Sequence, residues 1–352
     1  MKSPALIFGA GNVGRGFIGQ LFAESGYQVV FVDVDQLLLD ALNRRGSYTI
    51  RLVDNHGVAE VMVGPVRALH ASQADAVAAV LAQVAMGATA VGVRALPDVA
   101  PLVAAGIAQR AAAGSETPLN LIICENLKDA AAAFRSMVLS HLPAELHGYC
   151  AAHVGFVDTV IGRMAPPLTP ELRRQDPSLI IVEPYKELPV DRRGFVGSLP
   201  SAARSAAAGR AVPADLAAAG AAKPIVGMEL CDNFPAYTAR KLYIHNCGHA
   251  VLAYLGHLAG HEYGYQALED PAIRPWFDAA LAESRTGIVA AHHVDMAWLD
   301  DHIADLTRRF ANRGLGDTIL RLGRDPARKL GPTDRLVGAA RLAEGAGVTP
   351  HA

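Results

Sequence analysis

The first third of the chain alternates short, continuously apolar runs with segments of helical periodicity. The runs ALIFGAG (5–11), QVVFVDVD (28–35) and LNLIICEN (119–126) are too short for typical helices and show no sustained polar alternation. Such runs are typical of parallel strands buried on both faces, and the alanine-rich segments between them suit crossover helices. This order predicts an N-terminal α/β domain built on a doubly wound sheet.

Two further apolar runs extend that domain. We expect a strand near residue 90 (ATAVGV) and another at 178–185 (SLIIVEPY), which would close the domain. Past residue 190 the chain becomes rich in alanine, glycine, proline and serine. The segment at about 201–223 therefore predicts either a loop or a weak helix on the surface.

The remainder of the chain carries longer helical patterns. They cover residues 235–259, 271–285, 301–313 and 333–344. A chain of 352 residues is long enough for two domains. We predict a first domain over residues 1–190 and a mostly α-helical second domain over 191–352.

The first predicted strand ends in a glycine-rich turn that opens a helix. The turn consists of Gly9, Ala10, Gly11, Asn12, Val13 and Gly14. In a dinucleotide-binding turn the first glycine permits the tight turn and the second lets a pyrophosphate approach the backbone. The third allows close packing of helix on strand. The pyrophosphate lies at the helix N-terminus, where free N–H groups favour anions. We therefore predict a Rossmann-type domain whose cofactor is held by residues 9–14.

An acidic residue follows at the expected distance. Asp33 ends the second strand, 19 residues after Gly14. A carboxylate there accepts hydrogen bonds from an adenosine ribose and repels a 2′-phosphate, which predicts NAD rather than NADP. The alternative is a glycine turn that only packs a strand on a helix. Arg15 is either a phosphate contact or an exposed arginine.

A polar stripe interrupts the first helical pattern of the second domain. Within KLYIHNCGHA (241–250) stand Lys241, His245, Asn246 and His249. At about 100° per residue of α-helix, His249 lies about 80° and Asn246 about 140° from Lys241, so the stripe shares one broad side. Packed core polars, a metal site and an active site are the open interpretations. His245 and His249 have ligand spacing, but no HExxH motif or matching acidic ligand is present, so we predict no metal.

Another candidate group stands at a strand end. Asn126 follows the run LIICE, and ligands of open α/β sheets bind beyond the carboxyl ends of strands. An amide there is a good donor to a developing oxyanion, although asparagine is also a common turn residue. A lysine beside an oxidised nicotinamide should have a lowered pKa and serve as a base near neutral pH.

The composition of the chain mainly excludes classes of partner and of cysteine chemistry. The net charge is −2 with both signs interspersed, which argues against nucleic-acid and membrane-surface partners because both need a concentrated basic field. Four cysteines lie far apart without a C-x-x-C pair, which favours reduced thiols. No signal-peptide pattern begins the chain and no apolar run reaches about 18 residues, so we expect a cytoplasmic protein.

Several segments, in the same order, resemble the polyol-specific long-chain dehydrogenases, and in particular those that oxidise mannitol 1-phosphate. The resembling segments are FGAGNVGRGFIG, TPLNLIICENL, HVGFVDTVIGRMAPP, GMELCDN, RKLYIHNCGHAVLAYLGHLAGH and GRDPARKL. The resemblance spans about residues 4–340. Its most specific element is the pattern K-x4-N-x2-H after a Rossmann-type start.

The resemblance implies roles for the residues already singled out. Lys241 would be the general base, and Asn126 and Asn246 would hold the reacting oxygen. His249 would orient a substrate hydroxyl.

Three further positions match the substrate site of the family. Asp158 matches an acidic position, with a helix or turn cap as the alternative. Arg321 and Lys329 match basic positions suited to hydroxyls or a phosphate, with a solvated charged face as the alternative.

The expected activity is NAD-dependent interconversion of mannitol 1-phosphate and fructose 6-phosphate. The alternatives are the same chemistry on an unphosphorylated polyol or a hexuronate, or an NAD-binding regulatory protein without turnover. The partner is then a small sugar alcohol or sugar phosphate. The resemblance implies a monomer, while an exposed helical face would allow a dimer. The alanine-rich insertion, the short C-terminus and the lack of a glutamate just before Lys241 depart from the family pattern.

Overall fold

The structure of the protein, a computed structural model, describes residues 2–197 and 224–352. The chain forms two compact units. The first comprises Met1–Leu52 and Ala59–Asp232, and the second comprises Val53–Val58 and Asn233–Ala352. The alanine-rich segment predicted at 201–223 lies outside the described residues.

The strands of the described residues lie almost entirely in the first unit. In chain order they are β1 (Pro4–Phe8), β2 (Gln28–Asp33), β3 (Tyr48–Asp54), β4 (Gly57–Val63), β5 (Val66–His70), β6 (Met86–Thr89), β7 (Leu119–Ile123), β8 (Val154–Asp158), β9 (Ile180–Val182), β10 (Leu188–Asp191) and β11 (Met228–Cys231). Six of them form a parallel sheet in the order β5-β2-β1-β6-β7-β8. A smaller sheet has the order β4-β3-β9, and β10 pairs with β11.

The helices divide between the units. The first unit contains α1 (Gln20–Glu24), α2 (Gln36–Arg45), α3 (Ala74–Leu81), α4 (Leu96–Ala112), α5 (Ala130–His141), α6 (His147–His153) and α7 (Pro170–Gln175). The second contains α8 (Phe234–Ala239), α9 (Cys247–Leu258), α10 (Gly264–Glu269), α11 (Arg274–His292), α12 (Met296–Phe310), α13 (Ile319–Leu322), α14 (Pro326–Lys329) and α15 (Val337–Gly345). Short 3₁₀ turns cover Val93–Ala95, Ala144–Leu146, Arg192–Gly194 and Arg313–Leu315. Two segments, Gly14–Gly19 and Arg240–Asn246, are π-helical.

The six-stranded sheet is buried on both faces. Ala5 and Ile7 of β1 belong to the hydrophobic core on one side, and Leu6 and Phe8 belong to the core on the other. Successive side chains of a strand point to opposite faces, so a strand covered on both faces needs a continuous apolar run. The prediction of a parallel-sheet Rossmann-type domain followed by a helical domain is confirmed.

The run at 178–185 forms the strand β9, which pairs with β3 in the small sheet. One detail of the prediction differs from the structure. The boundary between the units falls at Asp232, later than the predicted boundary at residue 190. The reason is that β11 pairs in parallel with β10, which ties the chain before Asp232 to the first unit.

The second unit consists of packed helices and of the short segment Val53–Val58, which belongs to it although the chain on either side lies in the first unit. The Nδ2 of Asn55 donates to the carbonyl of Ala311 at 2.8 Å, and the Nδ2 of Asn312 donates to the carbonyl of Val53 at 2.8 Å. The side-chain amides of Asn55 and Asn312 therefore hold the segment Val53–Val58 against the end of α12. Among the described residues, no helix combines the length and hydrophobicity that crossing a bilayer requires.

Two glycines of the first unit offer a matched test of helix packing. A Cβ on Gly106 of α4 would lie 2.7 Å from the Cβ of Leu81, whereas a Cβ on Gly148 of α6 would meet nothing within 4 Å. We expect Gly106→Ala to destabilise the protein by about 1–3 kcal/mol through overpacking. Gly148→Ala should be neutral or stabilising by up to about 1 kcal/mol, because alanine favours the helix. Thermal and urea unfolding measure both, and equal midpoints would contradict this account of the packing.

Candidate active site

The glycine turn after β1 has the geometry that a dinucleotide requires. Gly9 has φ +93°, and a Cβ there would overlap the carbonyl of Ala90, while a Cβ on Gly14 would overlap the carbonyl of Gly9. A Cβ on Gly11 would instead meet no protein atom within 4 Å. Close packing within the protein therefore explains why Gly9 and Gly14 lack a side chain. At Gly11 the absence of a side chain leaves the backbone accessible to a ligand. The turn fits the predicted pyrophosphate contact.

The carboxylate of Asp33 is held against this turn by backbone hydrogen bonds. Its Oδ2 accepts a hydrogen bond from the backbone N–H of Ala10 at 2.6 Å. Its Oδ1 accepts from the N–H groups of Val34 and Asp35 at 2.7 and 3.1 Å. The carboxylate is only half-buried, so it can accept further donors from solvent or a ligand. Its contact with a ribose stays a prediction.

Two other side chains of the turn brace it from within the first unit. The Nδ2 of Asn12 donates to the carbonyl of Ala165 at 2.9 Å. Arg15 is 6% exposed, so the expectation of an exposed arginine is wrong. Its guanidinium donates to the carbonyls of Ala10, Ser178 and Leu179. Those contacts make Arg15 a clamp on the turn, and burial lowers its pKa.

The carboxyl ends of β6 and β7 are joined by a buried carboxylate. Glu125 accepts hydrogen bonds from the backbone N–H groups of Val91 and Gly92 at 2.9 and 2.8 Å. Asn126 follows it directly and is exposed. Glu125 therefore fixes the strand end, and Asn126 presents its amide at the edge of the sheet where ligands of such sheets bind. Its role as an oxyanion donor stays a prediction.

Asp158 ends β8 and acts locally as a helix cap. Its Oδ1 accepts from the N–H of Ala131, in the first turn of α5, at 2.9 Å. Burial raises the pKa of this carboxyl, and the neighbouring Asp129 and Asp191 act in the same direction. Asp158 therefore does cap a helix, which was the alternative to a role in the substrate site. Contact with a substrate stays a prediction.

In the second unit, Lys241 and Asn246 lie on a π-helical segment rather than on an α-helix. The N–H of Cys247 donates to the carbonyl of Leu242, five residues back. Residues five apart therefore come nearly one above the other in this segment. The expected separation of about 140° between Lys241 and Asn246 assumed α-helical geometry. That assumption is wrong here, and the two side chains share a face more closely than predicted.

The charge of Lys241 acts on three nearby imidazoles. The pKa values of His245, His249 and His302 lie well below the ordinary histidine range, first because the rings are buried and then because Lys241 and nearby arginines are cationic. The His249 ring stacks on Phe310 with centroids 4.0 Å apart, and His245 meets His249 edge-on at 4.9 Å. The Nδ1 of His245 and the Nε2 of His302 are buried without a hydrogen-bond partner.

His302 and Arg309 were missed by reasoning from the sequence. They lie seven residues apart on α12, which places them two turns apart on one face. That spacing was visible in the sequence, but nothing in it indicated that the face turns toward Lys241. Within the described residues, no group of three or more His, Cys, Asp or Glu side chains could hold a metal ion.

The two basic residues predicted near the substrate both have protein partners. Arg321 forms an ion pair with Asp317, with Nε and Oδ1 2.6 Å apart. Lys329 is 6% exposed and its Nζ donates to the carbonyl of Leu322, so the alternative of a solvated face is wrong for this residue. Burial, with Arg335 and Arg328 nearby, lowers the pKa of Lys329 to about 8. Substrate contact by either residue stays a prediction.

Comparison with known protein families agrees with this geometry. Residues 3–203 match the model of the mannitol dehydrogenase Rossmann domain, and residues 233–351 match the model of the mannitol dehydrogenase C-terminal domain. The chain belongs to the mannitol dehydrogenase family. The resemblance to polyol dehydrogenases is thereby confirmed at the level of this family, and the narrower expectation of a mannitol 1-phosphate enzyme is not.

Solved structures with the same fold include two polyol dehydrogenases. Mannitol 2-dehydrogenase from Pseudomonas fluorescens, in a ternary complex with NAD and D-mannitol, is 19% identical with a TM-score of 0.74. The match covers 99% of this chain and 76% of that one. A substrate-free D-sorbitol dehydrogenase is 16% identical with a TM-score of 0.78, over 99% of this chain and 77% of the other.

Gly11 provides a test of the dinucleotide turn. Because a Cβ at Gly11 meets no protein atom, Gly11→Val should leave the unfolding temperature nearly unchanged. The added side chain stands where the backbone should meet the pyrophosphate, so NADH affinity should fall at least tenfold, on the order of 1.4 kcal/mol or more. Fluorescence titration with NADH measures the affinity. Gly148→Val, also at an open position, is the control, and NADH binding by Gly11→Val equal to that of the control would exclude this function of the turn.

Proposed function

We propose that the protein is an NAD-dependent polyol dehydrogenase in which Lys241 is the general base. The observation that carries the proposal is the π-helical segment, which aligns Lys241 with Asn246 near neutral imidazoles, in a chain of the mannitol dehydrogenase family. NAD is the cofactor. The open backbone at Gly11 and the carboxylate of Asp33 fit it.

The residues of the chain would divide the reaction as follows. Bound NAD supplies the acceptor for the hydride that leaves the carbinol carbon. Neutral Lys241 takes the hydroxyl proton, so that an alcohol is oxidised to a ketone and one proton is released. Asn246 and Asn126 donate N–H groups to the oxygen as its charge develops. His249, kept neutral by burial, holds a neighbouring hydroxyl without adding a charge to the site.

The cationic surroundings of His249 support its role as a neutral partner of a substrate hydroxyl. Lys241, Arg309, Arg321 and Arg335 all act on the imidazole of His249, and no carboxylate is among its principal electrostatic neighbours. Positive charges close to an imidazole oppose its protonation. This arrangement favours a neutral His249, which could hold a substrate hydroxyl without adding a charge to the site.

For the substrate, an unphosphorylated polyol is the first candidate. The solved relatives are a mannitol 2-dehydrogenase with D-mannitol and a D-sorbitol dehydrogenase, and both names refer to unphosphorylated polyols. This candidate takes precedence over the mannitol 1-phosphate expected from the sequence.

Mannitol 1-phosphate is the second candidate, and the cluster of guanidinium groups near His249 favours it. A phosphate is recognised through such groups. However, Arg321 already pairs with Asp317 and Arg335 with Asp334. A phosphate would therefore have to share arginines whose charge is partly neutralised, whereas a free polyol makes no such demand.

Replacement of Lys241 tests the mechanism. Lys241→Met should lower kcat by about 10²–10⁴, the usual contribution of a general base, and leave the Kd for NADH within twofold of wild type. Steady-state kinetics and NADH fluorescence measure the two quantities. Lys2→Met, at an exposed position, is the control. Turnover by Lys241→Met at the rate of the control would overturn the mechanism.

A panel of ketoses tests the substrate. NADH oxidation with fructose, fructose 6-phosphate and fructuronate should show a kcat/KM at least tenfold higher for fructose. A preference for fructose 6-phosphate would select the second candidate, and a preference for fructuronate would indicate a hexuronate reductase. Tight NADH binding without oxidation of any ketose would instead indicate a regulatory protein.

A further inference from the structure

The second unit has a half-open cavity of about 460 Å³ between α9, α11 and α15. Its centre is lined by the small side chains of Cys247, Ala280, Ser284 and Ala339. Gly287 holds α11 close to α15 further along, where a Cβ would lie 2.8 Å from the backbone of Leu342. The helices are therefore fixed by close packing at one end, while small residues leave the space between them unfilled.

The cavity is distinct from the proposed catalytic face. Cys247, Val251 and Tyr254 of α9 line it, at the spacing of one helix stripe. His249 is two residues from Cys247, which is about 200° around an α-helix. The ring of His249 packs instead on Phe310. The cavity and the candidate active site thus use opposite sides of the same helix.

Two hydroxyl groups of the cavity lining are candidates for contact with a bound molecule. The Oγ of Ser284, a residue 1% exposed, and the Oη of Tyr254 are both buried without a hydrogen bond of good geometry. Burial raises the pKa of the neighbouring Cys247 thiol to about 12, although the Ser284 hydroxyl beside it acts in the opposite direction. The neutral thiol is only a weak acceptor for that hydroxyl. A buried hydroxyl without a well-formed hydrogen bond is unfavourable, and a bound molecule with a hydroxyl would supply the missing bond.

The remaining lining limits what can bind. Val251, Leu255, Trp276 and Leu336 form apolar walls, so a polyol would bury hydroxyls without partners. Glu283, the one side chain of the lining with a carboxylate, already accepts the backbone N–H groups of His351 and Ala352 at 2.8 and 3.2 Å. It is therefore poorly available to a cation. A volume of this size suits a single small molecule.

We propose that this cavity is a binding site for a neutral small molecule with a hydrocarbon ring and one hydroxyl group, of the phenol or cycloalkanol class. The ring occupies the space left by the small side chains, and the hydroxyl pairs with Ser284 and Tyr254. The site lies apart from the proposed catalysis and does not depend on it.

The test uses two probes that differ by one hydroxyl, 4-ethylphenol and ethylbenzene. Ligand-observed NMR titration of the full chain, without NAD or sugar, should give saturable binding of 4-ethylphenol at least fivefold tighter than that of ethylbenzene. In the double variant Ser284→Ala with Tyr254→Phe the preference should fall below twofold, because no hydroxyl is left to pair with. Absence of saturable 4-ethylphenol binding to the wild type would overturn the proposal.

A second comparison locates the binding. Ala280→Phe, which fills the cavity, should abolish binding of both probes, whereas Ala282→Phe, exposed on the same helix, should leave it unchanged. If Ala280→Phe does not fold, NOEs from 4-ethylphenol to methyl-labelled alanines of the wild type decide the location. NOEs to Ala280 and Ala339 support the site, and NOEs confined to other alanines contradict it. Because no turnover is measured, failure of the catalytic proposal cannot imitate either result.

Discussion

In each unit, the orientation of the candidate site residues depends on the backbone hydrogen bonds of a π-helical segment. In Gly14–Gly19 and Arg240–Asn246 the backbone bonds run over five residues instead of four, which turns the following side chains relative to an α-helix. The first segment directly follows the glycine turn, and the second aligns Lys241 with Asn246. Such segments are uncommon and often occur at functional sites. Here each unit has one at the position where its chemistry was predicted.

Each π-helical segment is stabilised by neighbouring aromatic side chains. The hydroxyl of Tyr48 donates to the carbonyl of Arg15 at 2.7 Å, which satisfies a carbonyl of the first segment. In the second, the guanidinium of Arg240 lies over the rings of Trp298 and Tyr237, at 4.4 and 4.9 Å from their centroids. Stacking of this kind contributes about 0.5–2 kcal/mol per contact. These contacts offset the poorer backbone geometry and keep the reactive face in register.

Most of the fold could be predicted from the sequence because its signals are local. Continuous apolar runs predict strands such as β1, and the spacing of the glycines predicts the glycine turn. The π-helical segments could not be predicted, since KLYIHN is compatible with an α-helix and the choice depends on packing around Arg240. The pairing of β11 with β10 was missed because it joins residues about 40 positions apart. The burial of Arg15 likewise depends on carbonyls more than 160 residues away.

Unpartnered polar atoms in the second unit concentrate around the π-helical segment and α9. The Nδ1 of His245 and the Nε2 of His302 lie beside Lys241, and the Oγ of Ser284 and the Oη of Tyr254 line the cavity on the other side. Folded proteins leave few such atoms, because each costs about 1–3 kcal/mol. A molecule that pairs with them stabilises the folded chain in proportion to its affinity. Both sides of the continuous helical stretch from Arg240 to Leu258 therefore face buried polar atoms with which a bound molecule could pair. For this reason we propose binding on both sides rather than on the polar side alone.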